Sequence, residues 1–101
     1  MFEEDSIVKQ RIHSLAANPA NVKFNKIHAK DRMAERGISS RDVFNVLKHG
    51  DITKNSAGRL EGERKVTMRG MVLDKDIAVV VIVLMPPKTD LLVITVIDKG
   101  N

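Results

Sequence analysis

Residues 77–97 read Ile77-Ala-Val-Val-Val-Ile-Val-Leu-Met85, Pro86-Pro-Lys-Thr-Asp90, Leu91-Leu-Val-Ile-Thr-Val-Ile97. The first run is apolar without a break and rich in β-branched residues. A membrane helix needs roughly 20 such residues, about twice this length, and Pro86-Pro87 ends the run. A short aliphatic run bounded by turn residues is the pattern of a strand buried on both faces. Leu91 to Ile97 repeats the pattern. The connection between the two is too short for a crossover, so the strands must lie antiparallel.

Moving upstream, residues 59–73 alternate imperfectly. Val66, Met68 and Val72 fall on one face and Lys65, Thr67 and Arg69 on the other. Asp74-Lys75-Asp76 reads as the turn that joins this strand to the aliphatic one. Before Gly50 the period is helical. Residues 6–17 carry Val8, Ile12, Leu15 and Ala16 at helical spacing, with Asp5 or Ser6 to cap the start and Asn18-Pro19 to stop it. Val22-Lys23-Phe24 alternates as a short strand would. A second helix is predicted from about Ile27 to Arg36, ending at Gly37. A third opens at Ser39, with Asp42 in a capping-box position, and turns Val43, Phe44, Val46 and Leu47 inward before His49-Gly50. Apolar strands of this kind need cover, so the expected fold is α+β, with N-terminal helices packed on a curved antiparallel sheet of about four strands.

The chain has 101 residues, the length of one domain, with residues 1–19 reading as a helical extension on a core over 20–101. Lys and Arg number 17 against 13 Asp and Glu, a net charge of +4 that favours an anionic partner such as nucleic acid. There is no Cys, which excludes disulfide scaffolds, thiol nucleophiles and cysteine-based metal sites. There is no Trp or Tyr and only three Phe, so a surface of stacked aromatics is excluded as the basis of nucleic-acid binding. The acidic start, Met1-Phe2-Glu3-Glu4-Asp5, is not a signal peptide. These features point to a soluble, cytoplasmic protein with no membrane partner, no cofactor and no metal site, since its three His are scattered.

The densest polar pattern is His28-Ala-Lys-Asp-Arg-Met-Ala-Glu-Arg-Gly-Ile-Ser39. His28, Arg32 and Arg36 recur at i, i+4 and i+8 and form one stripe down the second helix. The positive end of the helix dipole disfavours an imidazolium at His28, leaving a neutral imidazole able to accept a proton. Arginines present forked donors suited to a phosphate. The same stripe also reads as a solvated face, its arginines paired with Asp31, Glu35 or Asp42. Arg59, Arg64, Lys65 and Arg69, gathered around Glu61-Gly62-Glu63, could extend a phosphate track, or simply charge an edge strand against aggregation. Thr95 alternates with Leu91, Val93 and Ile97, which suits a buried threonine bonded to backbone. His13 reads as a surface residue and His49 as a helix-end residue.

The stretch from His28 to Ile52, with its His-Ala-x-x-Arg-Met-x-Glu-Arg-Gly-Ile hallmark, resembles the bacterial domain-of-unknown-function family numbered 4258. Leu92-Val-Ile-Thr95-Val also looks like that family's last strand, and the likeness spans roughly residues 22–98. The resemblance implies the barnase–EndoU–colicin–RelE-like fold of small metal-independent ribonucleases, many of them toxins of toxin–antitoxin pairs. It therefore implies cleavage of RNA by attack of a ribose 2′-hydroxyl on the adjacent phosphate. His28 is then the leading proton-transfer residue, Arg32 with Arg36 or Arg69 holds the scissile phosphate, and Thr95 adds a hydroxyl donor. Arg64 and Lys65 join the RNA-binding set. Glu63, Lys65 and His49 are the candidates for a second acid or base. The implied partners are RNA, including ribosome-bound mRNA, and an antitoxin protein. The other reading is a non-catalytic module of the same fold that binds RNA or protein.

Overall fold

The computed structural model describes residues 5–25, 29–59, 62–84 and 90–99. The protein is α+β. Helix α1 (Asp5–Ala16) leads through a 3-10 turn (Pro19–Asn21) to strand β1 (Val22–Phe24); helices α2 (Ala29–Arg36) and α3 (Ser40–His49) follow. Strands β2 (Asp51–Ala57), β3 (Glu63–Val72), β4 (Lys75–Leu84) and β5 (Leu91–Asp98) complete the chain.

The predicted helix signals act as read. Ser39 and Asp42 form a reciprocal capping box that satisfies the first orphan N–H groups of α3. Helix α2 ends with Gly37 at φ +65°, where Ile38 N–H donates to Met33 O at 3.0 Å and Gly37 N–H to Ala34 O at 3.4 Å. That pair of bonds is a Schellman motif, and Met33 and Ile38, which it brings together, are both buried.

The sheet has five strands in the order β1-β5-β4-β3-β2. The successive hairpins β2–β3–β4–β5 are antiparallel, as their short connections require. Three details differ from the sequence reading, the first being that Asp51–Ala57 is a strand, which makes five strands where about four were expected. The sheet is not wholly antiparallel: β1 pairs in parallel with β5, Val22 opposite Leu91 and Phe24 opposite Val93. The intervening helices and hairpins supply the long crossover that a parallel pair needs. The β3–β4 turn also falls one residue earlier than expected, with Val72 opposite Lys75 and Leu73-Asp74 as the loop. Lys75 is a strand residue whose ammonium donates to Gly37 O at 2.7 Å and lies 3.6 Å from Asp42, tying the hairpin to the α2–α3 junction.

One face of the sheet carries the helices. Val66 and Met68 of β3, Ile77, Val79, Val81 and Val83 of β4, and Leu91, Val93 and Val96 of β5 are buried there. They pack against Ile12, Ala29, Met33, Val43, Val46 and Leu47 of the helices in one continuous cluster. Val8, Ile12 and Ala16 of α1 belong to it, so this helix completes the core. Among the described residues no polar or charged side chain is buried. Burying such aliphatic side chains contributes about 1.5–3 kcal/mol each relative to exposure. Gly50 lets α3 close on β3: a Cβ built there would lie 2.6 Å from Val46 O and 2.7 Å from Arg69 O.

Candidate nucleic-acid interface

Among the described residues, no helix lies over the other face of the sheet. Its floor is aliphatic, with Ala78, Val80 and Ile82 of β4 beside Leu92, Ile94 and Ile97 of β5. Lys65, Thr67 and Arg69 of β3 share this face, opposite in register to Ile82, Val80 and Ala78. Lys54 of β2 is registered with Thr67, and Lys23 of β1 with Leu92.

Two β-bulges aim side chains at this face. In β5 the register passes from Val80 opposite Thr95 to Val81 opposite Val93, so Ile94 is an extra residue. Strict alternation from Leu91 and Val93 places Thr95 in the core. The bulge reverses it, and half-buried Thr95 shares the open face with Ile97 while Val96 fills the core. The expectation of a buried Thr95 is corrected accordingly. In β2 the register skips Thr53, between Ile52 opposite Met68 and Lys54 opposite Thr67.

Two grooves lie on the open face. The larger, about 500 Å³, is bordered by Asn25, Arg59, Glu63 and Lys65 over a floor of Ile82, Leu92 and Ile94. Glu63 is anchored beside it: its Oε1 accepts from Arg59 N–H at 3.0 Å, and its carbonyl accepts from Gly58 N–H at 2.8 Å. These bonds close the β2–β3 loop and hold a carboxylate and an ammonium at one rim. The second groove, about 320 Å³, is bordered by Thr53, Lys54, Thr67, Arg69 and Lys99 over Ala78 and Ile97.

The sequence-predicted residues divide. Glu63, Lys65, Arg69 and Thr95 come together on the open face. Arg64 does not: it points to the helix side, where Nε donates to Asn55 Oδ1 at 2.9 Å and Asn55 donates to Asp5 at 2.9 Å. Arg36 donates to Val96 O at 2.9 Å. β1 pairs only with residues 91–93 of β5, so Arg36 supplies a donor on the outer edge of β5 beyond the end of β1. Arg32 is exposed on α2, 3.9 Å from Glu35. Arg69 grips Asp76 through Nε at 2.9 Å and Nη2 at 2.7 Å. Hydrogen bonding from Arg69, more than bare charge, holds the Asp76 carboxyl below the usual carboxylate range, and the same pairing raises Arg69. His28 lies outside the described residues, three positions after Asn25. His49 is separated from Glu63 and Lys65, in a groove of about 280 Å³ with Asn45, Met71 and Leu73. His13, read as a surface residue, is half-buried with Nε2 3.0 Å from Gly50 O.

Sequence reasoning picked out Arg59 with Lys65 and missed Lys54, Lys23 and Lys99. The signal for Lys54 was weak because Asp51–Ala57, with Ile52 as its one large aliphatic residue, has no alternation to read. Among the described residues, no group of three or more His, Asp and Glu is arranged to hold a metal ion, and no helix is long and apolar enough to cross a membrane.

The model of the family described as "Domain of unknown function (DUF4258)" matches residues 26–98. The chain belongs to this family. The DUF4258 match takes in α2, α3 and strands β2–β5, and therefore both grooves except for Asn25 of the larger and Lys99 of the smaller. Helix α1 and strand β1 precede it. No curated protein and no solved structure matches the chain.

Proposed function

We infer that this DUF4258 protein is a small endoribonuclease whose chemistry occurs in the larger groove of the open sheet face. The observation that carries the reading is the placement of Glu63 and Lys65 at one rim of that groove, with Arg59 beside them. Cleavage by 2′-hydroxyl attack needs a proton acceptor on the attacking oxygen, a donor for the departing 5′-oxygen and cations for the phosphorane charge. Glu63 accepts the 2′ proton. The oxygen then closes on phosphorus, the bond to the 5′-oxygen breaks, and that oxygen leaves with a proton. Lys65 and Arg59 face the charge gathered on the non-bridging oxygens. Thr95, turned onto the same face by its bulge, offers a hydroxyl to the strand. The Lys65 ammonium can supply the leaving-group proton, and His28, the proton-transfer residue of the family resemblance, is the other candidate for the 2′ proton acceptor, with Arg32 following it in the sequence. In a cell this activity suits a cytoplasmic toxin acting on free or ribosome-bound mRNA and held in check by an antitoxin protein.

The test is cleavage of RNA in EDTA by the purified chain, against Glu63→Gln, Lys65→Ala, His28→Ala and Arg32→Ala. Loss of cleavage in Glu63→Gln with folding retained supports the assignment. An inert wild type, on naked RNA and on translating ribosomes, defeats the enzyme reading. Wild-type rates in His28→Ala would remove that residue alone. A second reading, RNA binding without scission, is favoured by the engagement of Arg36, Arg64 and Arg69 in internal bonds, which leaves phosphate contact to Arg59 and the lysines. It predicts salt-dependent binding and intact RNA.

A further inference from the structure

The geometry points to a second phosphate subsite in the smaller groove, at Lys54 and Lys99, which makes single-stranded RNA spanning both grooves the ligand of the open face. This rests on the reading of the larger groove as an RNA site and adds the extent and form of the substrate.

The two grooves share strand β3. Lys65 borders the first, Thr67 and Arg69 the second, and the separation from Lys65 to Arg69 is about 14 Å at antiparallel strand rise. Between them the register puts Val80 beside Thr95, so an aliphatic floor with one hydroxyl joins the sites. The second groove is made by local distortion: the β2 bulge brings both Thr53 and Lys54 to its rim. Lys99 follows β5, and its N–H donates to Asp76 O at 2.7 Å, which fixes the backbone at the opposite rim. Arg69 is tied to Asp76, whose carboxyl also feels the Lys99 charge, and Lys54 and Lys99 are the other cations of this groove.

Charge selects the occupant. Lys23, Lys54, Arg59, Lys65 and Lys99 line the open face, where Glu63 and the neutralised Asp76 are the acidic neighbours. Such a rim takes a polyanion, and a floor of Val80, Ile82, Leu92 and Ile97 takes apolar base faces turned away from water. Duplex RNA keeps its bases stacked inside and offers that floor nothing, whereas a single strand presents phosphates and bases together.

Fluorescence anisotropy with a uridine dinucleotide, a uridine dodecanucleotide and a matched RNA duplex tests this, on the wild type and Lys54→Gln/Lys99→Gln. Both lysines are on the surface, and thermal melting checks that the variant folds. The wild type should bind the dodecanucleotide more tightly than the dinucleotide and than the duplex. The variant should lose most of that gain with length, and its salt slope for the dodecanucleotide should fall by about 1.4, or ~0.7 for each phosphate contact removed. A wild type that binds no RNA overturns the reading of the face as a whole. Binding by the wild type with an unchanged slope and length gain in the variant overturns the second subsite alone. Duplex binding as tight as single-strand binding overturns the form of the ligand.

Discussion

The two faces of the sheet are made by the same strands and are built on opposite rules. On the helix side, Val66, Met68, Val79, Val81, Val93 and Val96 are aliphatic and sealed. On the open side, lysines, threonines and an ion pair stand over a narrower aliphatic floor. Even so, Ala78 and Val80 of β4, on the open side, are buried between the strands β3 and β5 that flank them. A strand apolar on both faces would ordinarily imply cover on both sides. Here, among the described residues, one half of that apolar surface has no second layer over it and is flanked by positive charge.

Truncation tests the contrast most severely. Leu47→Ala, at a site with no solvent exposure on the helix side, should cost about 2–5 kcal/mol in urea unfolding, against a total of about 5–15 kcal/mol for a domain. Ile97→Ala, half-buried on the open side, should cost clearly less. Equal losses would mean that the open face is as much a core as the covered one. The complementary measurement is chemical. Glu63→Gln keeps the acceptor for Arg59 N–H and should leave the β2–β3 loop closed and the chain folded, as thermal melting checks. RNA cleavage by that variant should fall by about 10²–10⁴, the usual contribution of a proton-transfer group.

Much of this contrast is legible in the sequence. The helix caps at Ser39 and Gly37, the inward residues of α3 and the separation of Val66 and Met68 from Lys65, Thr67 and Arg69 all follow from local rules of spacing and capping. What escapes is whatever depends on a register break. Counting by twos from Leu91 sends Thr95 inward, and only the extra residue at Ile94, set by pairing with β4, sends it outward. Arg64 and Arg36 escape for a related reason. A cation's role depends on the nearest acceptor, and Asn55 and the Val96 carbonyl are 9 and 60 positions away in the chain.

Two further substitutions separate the joints of the covered face from its packing. Gly50→Ala puts a methyl carbon against two backbone carbonyl oxygens that have no side-chain freedom to yield, so a loss of about 1–3 kcal/mol is expected. A neutral result would mean that α3 and β3 part easily at that point. Arg36→Met keeps the aliphatic stem but removes the donor to Val96 O. It should cost about 1 kcal/mol, with faster hydrogen exchange along the outer edge of β5 as its local sign.

The smallest effect compares one ion pair from each face. Lys9 meets Asp51 at 2.9 Å and joins α1 to β2 on the covered side, while Arg69 grips Asp76 at the open side. Both carboxyls are held below the ordinary value of 3.8, each chiefly by the hydrogen bond from its cation. A depressed folded-state value means that the stabilisation is complete above the unfolded value and disappears as pH falls through the folded one. The melting temperatures of wild type and Arg69→Gln should therefore differ at neutral pH and converge below pH 3.8, with the same course for Lys9→Gln. Both gaps should also narrow in high salt, since both pairs are exposed. The Arg69 gap should be the more salt-resistant of the two, because its two-point geometry fixes the partners more firmly than one ammonium contact. A gap for Arg69→Gln that persists undiminished in acid would show that Arg69 stabilises the hairpin through the packing of its side chain and not through its charge.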